Sequence, residues 1–122
     1  MNPVIAIVDD DESAREGLTN LMSSLGYEAV PYSSGDEFLR SVGRSRTDCL
    51  ITDVSMPVMT GPQLHQQLLA AGERIPTIFM TAYPDEAVRK TTADSGVHCY
   101  LTKPFREEEL LACVRSALEP GA

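Results

Sequence analysis

The sequence predicts an α/β domain: a doubly wound, five-stranded parallel sheet of order 2-1-3-4-5, with five helices on its two faces. Three observations carry this. Five short apolar runs, at residues 4–8, 28–32, 49–52, 77–80 and 98–102, alternate with five stretches of helical spacing. Alternation of that kind builds a parallel sheet covered by helices. Three of the runs are nearly continuous in apolar residues, as strands buried on both faces must be. The second run is broken by Glu28 and Pro31. Proline has no N–H to give to a ladder and belongs on a sheet edge, which is where this order puts the second strand.

The helices are read from apolar spacing and from their ends. Ala14, Leu18, Leu21, Met22 and Leu25 trace one stripe, closed by Gly26. Phe38, Leu39 and Val42 trace a shorter one, opened by Ser34-Gly35-Asp36-Glu37 in the pattern of a capping box and closed by Gly43. Leu64, Leu68 and Leu69 make a third, ending at Gly72. The fourth, at about 84–95, is polar, with only Ala87, Val88 and Ala93 apolar. The fifth, at about 107–118, carries Leu110, Leu111, Val114 and Leu118 behind three glutamates, placed where the helix dipole favours negative charge. No repeat or low-complexity tract interrupts the pattern. Residues 1–122 are therefore expected to form a single domain with its core at about 3–118, residues 119–122 being a tail or the start of a linker.

Composition narrows the function. A chain of 122 residues, 43% apolar, can bury a core without disulfides or metal. No apolar run exceeds five residues, the length of Val4 to Val8, far short of the ~18–20 that a membrane span needs, and no basic segment precedes that first run as in a signal peptide. Eighteen acidic residues against ten basic ones argue against direct nucleic-acid binding by this segment. Cys49, Cys99 and Cys113 are widely spaced, without a C-x-x-C, and are expected to be buried thiols acting as small hydrophobes. A zinc site from these cysteines with His65 and His98 is disfavoured, because His98 and Cys99 are adjacent on a strand and point to opposite faces. A cytoplasmic protein is expected.

Ligands of doubly wound sheets bind outside the carboxyl ends of the strands, at the switch in strand order. The first strand here runs into Asp9, Asp10, Asp11 and Glu12, the third ends at Thr52 and Asp53, the fourth at Thr81, and the fifth at Thr102 and Lys103. Each signal is weak alone: an acidic run opens many helices, and a strand-end Asp is a common turn former. Their convergence on one edge is what points to chemistry. Clustered carboxylates call for a hard divalent cation, for which Mg²⁺ with carboxylates, waters and a phosphate is the usual arrangement. An Asp carboxylate can then serve as nucleophile towards a phosphoryl group, with an ammonium and a hydroxyl to meet the charge on the transferred oxygens.

Val8-Asp9-Asp10, Ile51-Thr52-Asp53-Val54-Ser55-Met56-Pro57 with Gly61, Met80-Thr81-Ala82 and Leu101-Thr102-Lys103-Pro104-Phe105 together resemble the receiver domain of bacterial two-component response regulators, the CheY-like fold. The likeness runs over about residues 3–118, and details such as Val8-Asp-Asp-Asp-Glu-Ser13 are similar to the FixJ-like branch. The resemblance implies that Asp53 is phosphorylated by a histidine kinase or phosphotransfer protein. It implies that Asp9, Asp10, Asp53 and the backbone carbonyl of Ser55 hold Mg²⁺, Asp10 more directly than Asp9. Thr81 would turn its hydroxyl to the phosphoryl group, Lys103 would pair with it, and Lys103-Pro104 would be a cis peptide. Tyr100 matches the aromatic switch position that follows the Thr. The fourth helix, fifth strand and fifth helix would form the output surface, used for a downstream effector and for a phosphorylation-dependent homodimer. Val58 stands where Gly or Asp is commoner, so the loop from Met56 to Gly61 is expected to differ in shape.

Three other readings are weaker. A receiver-like interaction module that works without phosphorylation typically lacks one of the five residues Asp9, Asp10, Asp53, Thr81 and Lys103, and all are present. A phosphatase of the haloacid-dehalogenase type wants a second Asp where Ser55 stands. A flavin site wants a phosphate-binding loop after Val8, where Asp9 to Glu12 would repel a phosphate.

Overall fold

The computed structural model describes residues 2–119; Pro120, Gly121 and Ala122 of the expected tail lie outside them. The chain runs β1 (Val4–Val8), α1 (Glu12–Ser24), β2 (Glu28–Tyr32), α2 (Gly35–Arg40), a 3-10 turn (Arg44–Arg46), β3 (Cys49–Asp53), α3 (Gly61–Ala70), β4 (Thr77–Thr81), α4 (Glu86–Asp94), β5 (Cys99–Thr102) and α5 (Glu107–Ala117). All strand pairs are parallel and the order is β2-β1-β3-β4-β5, as the sequence predicts. Pro31 sits in edge strand β2 opposite Ile7.

The period-two alternation of β1 divides the interior. Ile5 and Ile7 face a core with Leu18 and Met22 of α1 and Leu110 and Val114 of α5. Ala6 and Val8 face the other, with Phe38 of α2 and Leu64 and Leu68 of α3. Fully burying an aliphatic or aromatic side chain contributes roughly 1.5–3 kcal/mol, so these two layers hold the central strands flat against helices on both sides. By contrast α4 buries only Thr92. It lies across from α3 over a cleft lined by His65, Phe79 and Thr92, with the His65 ring edge-on to Phe79.

Two expectations need correction. The second helix does not reach Val42. It ends at Arg40, where the Ser41 backbone turns extended while its N–H and hydroxyl both bond to the Phe38 carbonyl. Val42 is left exposed. Arg44 then anchors the following turn through two-pronged bonds to Glu73 and a bond to the Leu39 carbonyl, a long-range tie that helical spacing cannot reveal.

The second correction concerns the cysteines. Cys49 is a buried free thiol as expected, its pKa pushed up to about 12 by burial and then by Asp48. Cys99 of β5 and Cys113 of α5 are instead joined as a disulfide, with Cα atoms 6.2 Å apart. Their pairing arises from how α5 returns along the sheet, which no local pattern encodes.

Candidate functional site at the carboxyl edge of the sheet

Asp9 follows β1 and is fully buried. Every oxygen it carries is engaged. Its Oδ1 accepts the N–H of Asp11 at 2.9 Å, its carbonyl accepts from the Arg15 guanidinium at 2.8 Å, and its Oδ2 lies 3.4 Å from the Lys103 ammonium. Asp10 is exposed, with a carboxylate oxygen on the same side as those of Asp9 and Asp53. Asp11 is the N-cap of α1, its carboxylate accepting from Ala14. So the acidic run divides between the site and a helix cap.

Asp53 ends β3 with its side chain 13% exposed and 3.6 Å from the same Lys103 nitrogen. Burial raises its pKa above the ordinary carboxylate value; Lys103 opposes this, and Asp9 and Asp10 reinforce it. Carboxylate oxygens of Asp9, Asp10 and Asp53 lie within 4.8 Å of one another. At that separation and an effective dielectric of about 20, Asp9 and Asp53 alone repel by roughly 3 kcal/mol. One ammonium cannot balance three carboxylates. An all-oxygen donor set with a surplus of negative charge fits a hard divalent cation such as Mg²⁺ or Ca²⁺.

The floor under Asp53 is set by Gly61. The first turn of α3 comes so close that a Cβ at position 61 would sit 2.6 Å from the Asp53 carbonyl oxygen. The Gly61 N–H donates to the Val54 carbonyl at 2.9 Å, and the Val54 N–H to Met80 of β4 at 2.8 Å. The strand end is thereby pinned from both sides. Ser55 is exposed in the following loop, and Val58 in the same loop is fully exposed with φ at +69°.

Thr81 closes β4 and is buried. Its hydroxyl accepts the N–H of Tyr83 at 3.0 Å, and its carbonyl accepts the N–H of Lys103 at 2.7 Å. The Lys103–Pro104 peptide is cis. Asp9, Asp10, Asp53 and Lys103 thus form one cluster, with Thr81 bound to it through the backbone. Tyr100 instead engages α4: its hydroxyl accepts from the N–H of Asp85, the helix N-cap, at 3.4 Å, and the Arg89 guanidinium lies 5.6 Å over its ring.

Arg15 and Arg89 are absent from the sequence-based reading. Arg15 lies four residues past the cap Asp11, and helical side chains lean towards the N-terminus, so its reach to Asp9 was inferable. The reach of Arg89 to Tyr100 depends on where α4 lies.

Comparison with known proteins converges on the same picture. The family model of the response regulator receiver domain matches residues 5–115. The response regulator TodT of Pseudomonas putida is 43% identical over 116 residues, covering 95% of this chain and 51% of that protein. Among solved structures, the response regulator StyR matches with a TM-score of 0.88 at 37% identity, over 97% of this chain and 60% of that one. FixJ-N matches with a TM-score of 0.90 at 26% identity, over 100% and 98%. The chain spans about half the length of the curated relatives it matches. With the family model covering nearly all of its fold, the chain belongs to the receiver domains of two-component response regulators.

Proposed function

We propose that Asp53 is the phosphoacceptor, that Asp9, Asp10, Asp53 and the Ser55 backbone carbonyl hold Mg²⁺, and that phosphorylation changes the surface formed by α4, β5 and α5. The observation that carries this reading is the approach of Lys103 to both Asp9 and Asp53, at 3.4 and 3.6 Å, within a carboxylate cluster at the switch in strand order. A phosphorylation-independent module has no need of that surplus of buried negative charge.

An Asp53 carboxylate oxygen attacks the phosphorus of a phosphohistidine, and the P–N bond breaks with its electron pair left on the imidazole. Bound Mg²⁺ would neutralise charge on the phosphoryl oxygens and on the acidic cluster. Lys103 then exchanges part of its pairing with Asp53 for the new phosphoryl oxygens, a strong charge-assisted bond. The Thr81 hydroxyl, held by the Tyr83 N–H, is the donor available to a further oxygen. Turning it releases the loop between β4 and α4. Tyr100 and Arg89 carry that change into α4, the helix with the least apolar anchorage, as low-stability elements do. In this reading the chain catalyses its own phosphorylation, and its own dephosphorylation when water attacks the phosphorus, the P–O bond to Asp53 breaks, and the carboxylate and inorganic phosphate are released; it acts on no external metabolite. Its partners are a sensor histidine kinase or phosphotransfer protein, a downstream effector, and a second phosphorylated copy. The reaction belongs in the cytoplasm.

Incubation with Mg²⁺ and acetyl phosphate, followed by intact mass, tests this. One acid-labile phosphoryl adduct on the wild type and none on Asp53→Asn is expected. An equal adduct on the variant, or none on either, contradicts the reading. Mg²⁺ alone at about 100 times its Kd should stabilise the fold by about 2.7 kcal/mol; an unchanged melting temperature contradicts the metal site.

A further inference from the structure

We propose that Cys99 and Cys113 form a redox-active dithiol site, closed by exchange with low-molecular-weight disulfides, that clamps the segment carrying Tyr100 and Lys103. The two sulfurs are joined across the β5–α5 interface with Cα atoms 6.2 Å apart, inside the range that a disulfide spans without backbone movement. Both side chains are only partly buried, at the margin of the core that contains Ile78, Leu110 and Val114. β5 is the edge strand, open to solvent on one side. Neither cysteine is sealed in the core as Cys49 is, and this partial exposure is the route by which small thiols and disulfides reach the pair.

Cys49 is the internal contrast. It lies at the centre of the sheet, fully buried, and burial keeps its thiol protonated, so it is inert to exchange.

The chemistry balances within the pair and its oxidant. One cysteine thiolate attacks a sulfur of the small disulfide and expels the other half as a thiolate. The second cysteine sulfur attacks the resulting mixed disulfide and expels the remaining half. Two electrons and two protons pass to the small disulfide, which leaves as two thiols. The covalent ring so closed, residues 99–113, contains Tyr100, Lys103, Phe105 and the first turns of α5. Oxidation therefore restrains the strand end that supplies the ammonium and the strand that carries the aromatic residue packed on α4. The dithiol chemistry is independent of phosphorylation at Asp53.

The full chain, reduced and then equilibrated across ratios of oxidised to reduced glutathione, is acid-quenched, alkylated in denaturant and weighed. With oxidised glutathione in excess, one alkyl group is expected, at Cys49, with a peptide joining Cys99 to Cys113; dithiothreitol restores three alkyl groups. Amide hydrogen exchange within residues 100–112 should be about tenfold slower in the oxidised form. Three alkyl groups at every ratio, a stable glutathione adduct in place of the internal bond, or a bond involving Cys49 would overturn the site. So would the same cross-linked mass in Cys99→Ser or Cys113→Ser. Equal exchange in both forms would overturn the clamp. The oxidised and reduced wild type are compared directly, so the outcome stands even if a serine variant folds poorly.

Discussion

Asp53 holds a carboxylate in surroundings that oppose its charge. Burial raises its pKa, more than Lys103 lowers it, with Asp9 and Asp10 adding to the rise. The folded state therefore binds the Asp53 proton more tightly than the unfolded chain does. Stability from this group is fully present below the unfolded carboxylate pKa and is lost as pH rises through the folded value. At neutral pH, without divalent metal, Asp53→Asn should raise the melting temperature by a few degrees, and the difference should shrink on acidification. Thermal melts of both proteins against pH check this; a variant less stable at pH 7 contradicts it. Val58 is a second strained residue, β-branched with φ at +69° and no packing to lose. A left-handed conformation costs a non-glycine residue roughly 1–2 kcal/mol, while glycine costs about 0.5–1 kcal/mol in unfolded-chain entropy. Val58→Gly should thus gain up to about 1 kcal/mol, read as a higher urea midpoint at constant slope. At this scale the sequence was informative where strand ends collected like charges. The conformation of Val58 was visible only as an unusual residue in its motif, and the hold of Arg15 on Asp9 needed the lean of a helical side chain to be considered.

Elements were legible where their ends are written in local chemistry. Ser34 does cap α2 through the Glu37 N–H, although the Glu37 carboxylate accepts from Ser33 and not from Ser34. Thr60 and Gln63 form a complete capping box at α3 that the same rule would have found. Gly26 and Gly72 end their helices with positive φ. Gly61 works differently, through proximity: its missing Cβ leaves room for the Asp53 carbonyl and the Val54 Cα, at 2.6 and 3.1 Å. Backbone atoms on both sides cannot yield, so Gly61→Ala should destabilise by about 1–3 kcal/mol and displace Asp53, slowing phosphoryl uptake. Gly17, inside α1 with open space around it, is the control. Alanine there should stabilise by about 0.8–1 kcal/mol from helix propensity alone. Denaturant titration of the two variants separates the effects. The turn after α2 and the Cys99–Cys113 pair were not legible, because the first is tied down by Arg44 and Glu73 and the second by the packing of α5, both contacts between distant segments.

For the whole molecule, strand order is what makes the site. β1 and β3 are neighbours at the switch point and β4 and β5 follow, so Asp9, Asp53, Thr81 and Lys103, spread over 95 positions of sequence, end at one edge. Apolar runs and helical spacing pointed to a doubly wound sheet, and the proline of β2 suited the order 2-1-3-4-5 by placing that strand at an edge, since each reports on burial. The direction in which α4 and Tyr100 couple was not, because a polar helix leaves no imprint of the face it packs. The most direct measurement of the central claim is reductive trapping. After reaction with acetyl phosphate and Mg²⁺, borohydride converts an aspartyl phosphate to homoserine, and peptide mapping locates it. Homoserine at position 53 alone, absent when Mg²⁺ is chelated and strongly reduced in Lys103→Ala, is the expected result. Homoserine at position 9 or 10, or none at all, would contradict the assignment of Asp53 as the phosphoacceptor.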